Sequence, residues 1–542
     1  MIDLYQHKGG NCTMNEVQGT KKNKRLAGGL ALTLAMSMIL SACSGSDSGS
    51  NAKESGGAAS AGNGGNEPIS ISMMYDDNPS YPFNAAWPVL EKFQQLANVK
   101  LDIQPTPDAD YQNKLKIVLS SGSAPDLVSY VEHPVYMEFA QTGVFLPISD
   151  YMDKLPNLKK KLEQYNISEE IDNWTLKDGK LYGLPFMFES AMYNTAPVIR
   201  VDLLKKHNLQ APTTMDELYN VLKKLKEADP KSYPMANLNG AFGLINLSGA
   251  AWGIGPAYNG FIFNSEKQQF EYAYTSDNYR QYVAFLNRLM KEKLADPEIF
   301  TSSTDQWKQK MATGQSVFTY TWISELGQIN ADGKKNVSPD FELAPLPPIA
   351  GPGGVKGPSA QRINFAYVIP ATAAQKPNFD KLLEYVNWLY SDEAINLGTW
   401  GIQDETFVEK DGKRDFTDAV KSSGMIQKAL WNVGASNNNF TTVFTYDWFS
   451  KVLNNPLVDS LTAEANAKNW FPSVAKVPKL TPADKEEETM RSTTVHDFFM
   501  RSQEQFIYGK SSVETDWDSY VKEINDKGVA KLLEIYNNTL KQ

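Results

Sequence analysis

From Pro68 onward the apolar positions alternate between two rhythms. In "PISISMMYD", Ile69, Ile71 and Met73 recur every second residue, the period of a strand. "AAWPVLEKFQQLANVKL" then spaces Val89, Leu90, Phe93 and Leu96 three and four residues apart, which lines one face of a helix. "VKLDIQPTP" returns to strand spacing and stops at prolines. "ADYQNKLKIVLSSG" predicts a second helix closed by Gly122, and "APDLVSY" a third short strand. Strand, helix, strand, helix, strand at this spacing predicts a parallel α/β sheet. Ligands of such sheets sit beyond the carboxyl ends of the strands. That singles out Tyr75, Asp76 and Asp77, at the end of the first strand, as cleft residues. The alternative for them is an ordinary solvated loop.

Further along, "KDGKLYGLP" predicts a turn followed by a strand, and "SAMYN" another strand. Thr213 and Thr214, with Glu217 three residues on, form the signature of a capping box that opens a helix.

The start of the chain has a different pattern. "KKNKR", Lys21 to Arg25, precedes an apolar run from Leu26 to Ala42. That run is short for a bilayer span, which needs about 20 apolar residues. A positive flank, an apolar run and small residues together predict a secretory signal, with Met14 as a plausible true start. Leu40-Ser41-Ala42-Cys43 resembles a bacterial lipobox, which implies cleavage before Cys43 and lipidation of its thiol. A plain secreted protein with a free cysteine near its start is the alternative. Residues Ser44 to Asn66 are rich in Gly, Ser and Ala and predict a flexible tether, with a reach of roughly 25–30 Å. The only other cysteine is Cys12, so a mature body would hold no disulfide framework.

Composition narrows the function. The net charge of −10 argues against a nucleic-acid surface, which would show a basic patch. The histidines are four, His7, His133, His207 and His496, and none stands in a metal-ligand spacing. No G-x-S-x-G elbow and no D-x-[DN]-x-[DN]-G calcium loop occurs. "YGKSS", Tyr508 to Ser512, has Glu504 where a phosphate loop needs glycine. A glycosidase carboxylate pair stays open, because its partners can be distant in sequence. These points predict no catalytic residue, no metal and no cofactor. Aromatic residues make up 11% of the chain. Their rings suit the apolar face of a sugar, while carboxylates and amides take its hydroxyl rim.

The order of "SGSAPDLV", "DGKLYGLPF", "YNTAPVIRVDLLKKHNLQAPTTMDEL" and "ATGQSVFTYTW" resembles bacterial extracellular solute-binding proteins of the maltose-binding type. "PNFDKLLEYVNWLYSDEAINLGTWGIQDETF" and "DWDSYVKEINDKGVAKLLEIYNNTL" resemble their larger oligosaccharide-binding lipoprotein relatives in Gram-positive bacteria. The resemblance runs from Pro68 to Leu540 and implies an α/β fold of two hinge-linked lobes with extra C-terminal helices. It implies crossings near Leu184–Asn194 and Arg362–Ile369. Residues 68–188 plus 366–403 would form one lobe and 189–365 plus 404–542 the other, after a signal at 1–42 and a tether at 43–67. It also implies ligand contacts. Trp322 lies in a stretch that resembles the one carrying a sugar-stacking tryptophan. Trp252 and Tyr258 lie in the Gly-rich "GAAWGIGPAYNG", which resembles a cleft loop. Glu189 resembles a family acid that reaches the ligand. Trp400 ends a helix beside Gly401, and Trp388 has the spacing of a core residue.

The function implied is a monomeric receptor, lipid-anchored outside the cell membrane, that passes an oligosaccharide to ABC permease subunits. A sensor lipoprotein of the same fold and a cell-surface polysaccharide hydrolase or lyase are the alternatives.

Overall fold

A computed structural model describes residues 67–541 apart from 239, 358–360 and 424. The signal segment, Cys43 and the tether up to residue 66 lie outside the described residues. No described helix is long and apolar enough to cross a membrane.

The first three strands run where the alternation places them: β1 (Ile69–Asp77), β2 (Val99–Pro107) and β3 (Leu127–Glu132). The helix Pro88–Ala97 joins β1 to β2 and buries Val89, Leu90 and Phe93. Burying a side chain such as Phe93 contributes about 2–3 kcal/mol. Leu96, expected on the same face, is exposed. The helix Asp108–Ser121 ends at Gly122, whose φ of 68° is a left-handed stop that suits glycine.

The remaining strands follow in chain order: β4 (Leu184–Phe188), β5 (Thr195–Arg200), β6 (Phe261–Asn264), β7 (Gln269–Tyr272), β8 (Phe318–Trp322), β9 (Leu343–Pro345), β10 (Ile363–Val368), β11 (Phe407–Lys410), β12 (Lys413–Phe416) and β13 (Val443–Phe444). "SAMYN" is not a strand; ladder pairing resumes only at Thr195.

Two sheets organise the molecule. One has six strands in the order β13-β4-β10-β3-β1-β2, and the other has three in the order β8-β5-β9. β1 pairs parallel with both β2 and β3, as strand-helix-strand crossovers within one sheet require. Because β2 and β3 lie on opposite sides of β1, the chain order reverses there. The carboxyl ends of β1 and β3 therefore flank a topological switch point.

Among the described residues the chain passes between these two sheets three times: from β4 to β5, from β9 to β10, and after β13. The third passage is not foreseen in the sequence. Residues 404–542 were expected wholly in the second lobe, yet β13 pairs with β4 in the six-stranded sheet. The chain then returns, and the helix Pro456–Ala467 puts Val458, Leu461 and Ala465 into the core around Trp307 and Phe341. The three passages run side by side. Met187 donates its N–H to Thr442 O, Phe188 to Arg362 O, and Glu189 to Phe444 O, at 2.8, 2.9 and 3.0 Å.

The C-terminal helices Pro482–Ile507, Trp517–Ile524 and Ala530–Asn538 belong to the second body. Phe499, Trp517 and Tyr536 continue the core that contains Tyr274, Tyr279 and Phe318.

Candidate functional site

β1 and β3 stop pairing after Met74 and Val128, so their carboxyl ends part at the switch point. The carbonyls freed on β3 are taken by the helix Asp108–Ser121. Tyr111 donates its hydroxyl to Ser129 O at 2.5 Å, and Gln112 donates Nε2 to Tyr130 O at 3.1 Å. Tyr130 adopts a φ of 55°, a left-handed conformation that costs a bulky residue about 1–3 kcal/mol. Its ring lies 4.3 Å from that of Phe365.

The gap is closed from far along the chain by Ser436 to Thr442. Asn439 clamps Asp76: Asp76 N donates to Asn439 Oδ1, and Asn439 Nδ2 donates to Asp76 O, both at 2.9 Å. Ser129 Oγ donates to the same Asn439 Oδ1 at 2.5 Å. Asn437 Nδ2 donates to the Tyr75 hydroxyl at 2.6 Å, and Asn437 Oδ1 accepts Asn439 N at 2.9 Å.

The Asp76 carboxylate is excluded from this network. It is buried, and neither oxygen has a hydrogen-bond donor. What faces it is another acceptor, the carboxyl of Asp108. Burial first, then Asp108, then Asp77 and Glu132, push Asp76 up to about 8. The folded chain therefore favours the protonated form of Asp76 at neutral pH.

The predicted site residues separate into groups. Tyr75 and Asp76 stand together at the switch point, with the Tyr75 hydroxyl committed to Asn437. Trp322 ends β8, paired in register with Thr195, and Ile323 N donates to Asn194 O at 2.8 Å. It is half-buried and stands where the first passage reaches the second sheet. Glu189 lies in the same passage, and its Oε2 accepts Tyr446 N, at the start of the helix Tyr446–Leu453, at 2.8 Å.

The other three are placed elsewhere. Trp252 is 5% exposed and packs against Tyr282 and Phe285, 5.6 and 5.4 Å between ring centres. Trp400 is 1% exposed, with its ring between Phe407 and Phe416 of the β11–β12 hairpin. Both indoles are covered by these rings in this structure. Tyr258 packs on Tyr536, and its hydroxyl reaches Glu488 at 3.5 Å, so it ties its loop to the C-terminal helices. Trp388, expected in the core, packs edge-on against Phe93 but is only half-buried, and its Nε1 donates to Glu393.

Sequence reasoning missed Asp108, Tyr130, Glu132 and Asn439. Asp108 had a signal, since it opens the helix after β2 at the same end of the sheet. Asn439 had none beyond the run "SNNNF".

The sequence model for bacterial extracellular solute-binding proteins matches residues 79–396. The chain belongs to that family. This solute-binding protein is 23% identical over 475 residues to the fructooligosaccharide ABC transporter substrate-binding protein FusA of Streptococcus pneumoniae, covering 82% of this chain and 85% of FusA. It is 25% identical over 404 residues to the polygalacturonan/rhamnogalacturonan-binding protein YtcQ of Bacillus subtilis, covering 71% and 76%. Its fold matches the crystal structure of the alginate-binding protein AlgQ2 without calcium ion, with a TM-score of 0.72 and 21% identity over 88% of this chain and 98% of that one. The two-lobe α/β architecture with additional C-terminal helices is therefore that of this family. Among the described residues of the solute-binding protein, no group of three or more His, Cys, Asp or Glu is arranged to hold a metal ion.

Proposed function

We propose that this protein captures an oligosaccharide between its two sheet-centred bodies and delivers it, chemically unchanged, to the permease of an ABC importer. The observation that carries the reading is the pairing of unlike surfaces beside the passages. The six-stranded sheet ends at its switch point beside the half-buried acids Asp77, Asp108 and Glu132. The three-stranded sheet offers the half-buried indole of Trp322 at its near end. A sugar has an apolar face for the indole and hydroxyl donors for the carboxylates. The near full-length likeness to FusA and the likeness to YtcQ support a saccharide over other solutes.

Each body holds part of such a site, so all contacts form only when the two close. The ligand then shifts the open–closed balance by its extra affinity for the closed state. Cys43 carries the lipid anchor on this reading. Two acyl chains hold a protein at a membrane where one does not.

Calorimetry of the purified chain against a broad panel of oligosaccharides, with the sugars analysed after long incubation, tests this. Saturable binding with intact sugars is expected. Shortened or unsaturated sugars would turn the reading toward an enzyme. Cys43→Ser should move the protein from membranes to the medium; a variant that still sediments with washed membranes would remove the anchor.

A further inference from the structure

Trp470 and Leu480 are both buried in the second body, Trp470 in the core around Trp307 and Phe341 and Leu480 in the core that contains Phe499 and Tyr536. Residues 471–479 between them form neither helix nor strand. The middle of this segment is held by the other body. Asn173, near the end of the helix Ser168–Trp174, donates Nδ2 to Ala475 O at 2.8 Å, and its Oδ1 accepts Val477 N at 3.0 Å. Asp172 beside it pairs with the Lys479 ammonium. Asn173 is itself fixed to the first body. His133 donates Nε2 to Asn173 O at 3.0 Å, and Tyr136 donates its hydroxyl to Trp174 O at 2.7 Å. His133 opens the helix His133–Ala140 directly after β3, and β3 lies on the β1 side of β10. The clamp therefore stands on the switch-point side of the three passages, the side on which opening draws the bodies apart. Val477 is three residues from Leu480, so the clamp can move at most about 10 Å from that anchor. Pro478 has a fixed φ and biases Val477 to extended backbone, which leaves the connection little slack.

We infer that residues 471–479 are a strap that limits how far the two bodies open, holding the ligand-free chain near its closed geometry. The three passages are fastened to one another by backbone bonds. The strap is fastened by the side chains of Asn173 and Asp172, so one substitution releases it and leaves the hinge intact. A protein kept near closure spends more of its time in the form that a ligand can complete, and its apparent affinity rises with that fraction. The inference rests on capture by closure and not on the identity of the solute.

The test is small-angle X-ray scattering of the ligand-free full chain, with thermal unfolding to show that each variant is folded. Asn173→Ala removes both bonds to the strap. A second variant inserts Gly-Ser-Gly-Ser between Lys479 and Leu480, which lengthens the short side of the strap and leaves every clamping residue in place. Each should raise the radius of gyration by about 1 Å, as wider opening of two bodies of this size does. Asp172→Asn, which removes the ion pair at a half-exposed position, should shift it the same way by less. A folded Asn173→Ala or insertion variant with the dimensions of the unmutated chain, or smaller ones, overturns the inference. An expansion seen with Asn173→Ala but not with the folded insertion overturns it too, because the effect would then belong to Asn173 alone and not to a strap. The scattering result stands whether or not the protein binds a saccharide, so failure of the oligosaccharide reading would show in calorimetry and not here.

Discussion

Asn439→Ala is the substitution whose cost follows most directly from the structure. The Asn439 side chain is buried and makes four hydrogen bonds. Two take the N–H and C=O of Asp76, one comes from Ser129 Oγ, and one goes to Asn437 Oδ1. Alanine removes all four. Ser129 Oγ keeps an alternative acceptor in Met74 O at 3.0 Å. The Asp76 N–H and C=O have no such substitute, and they sit at the parted end of the sheet where β3 no longer reaches. Each buried orphan costs about 1–3 kcal/mol, so a loss of about 3–5 kcal/mol is expected. That is a large part of the 5–15 kcal/mol by which domains are typically stable. Denaturant unfolding followed by tryptophan fluorescence reads it out locally, since Trp431 donates Nε1 to Ser436 O at the start of the same segment. Asn438→Ala keeps the carbonyl that accepts from Tyr367 and should cost less than half as much. A loss below about 1 kcal/mol for Asn439→Ala would refute the reasoning, because water would then replace the clamp at little expense.

Trp322→Ala should weaken saccharide binding by about 2–3 kcal/mol, or about 30- to 150-fold, with a smaller effect on stability, as measured by calorimetry and thermal unfolding of one sample. Unchanged affinity with a much lower melting temperature would make Trp322 a core residue. Glu189→Ala removes the acceptor of Tyr446 N at the start of the helix Tyr446–Leu453 and should cost about 1–2 kcal/mol by denaturant titration. Between pH 4 and 8, Asp76 holds a proton in the folded chain that the unfolded chain releases, so its contribution to stability falls as pH rises through that window. Thermal unfolding of Asp76→Asn should therefore decline less across this range than that of the unmutated chain, and parallel profiles would contradict the raised value.

What was legible in the sequence was local. Val89, Leu90 and Phe93 repeat at helical spacing within one helix, and Gly122 marks its neighbour's end through its own backbone. Even the capping box is readable to within one residue: Thr214 Oγ1 accepts Glu217 N, but the returning Glu217 carboxylate goes to Thr213. The clamp on Asp76 was illegible because its two halves lie 363 residues apart. Strand β13 is two residues long and carries no period at all. The burial of Trp252 and Trp400 was illegible for a related reason. A tryptophan in or beside glycine-rich sequence has the local look of a loop residue, and only tertiary contacts with Phe285 or Phe416 decide that it is covered.

The three passages also constrain how the proposed capture works. A single linker would let the two bodies swing freely, and closure would carry a large entropic cost. Here Phe188 and Glu189 are bonded to Arg362 and Phe444, so all three strands of the hinge are fastened to one another at one level. Arg362 is held further by an ion pair with Glu170 at 2.6 Å and by the carbonyls of Tyr165 and Asn166. Bending about that level is the motion left, and it moves the Trp322 end of one sheet toward or away from the Asp76 end of the other. A saccharide that bridged them would satisfy the carboxylates only in the closed geometry. Its polar contacts would then report closure.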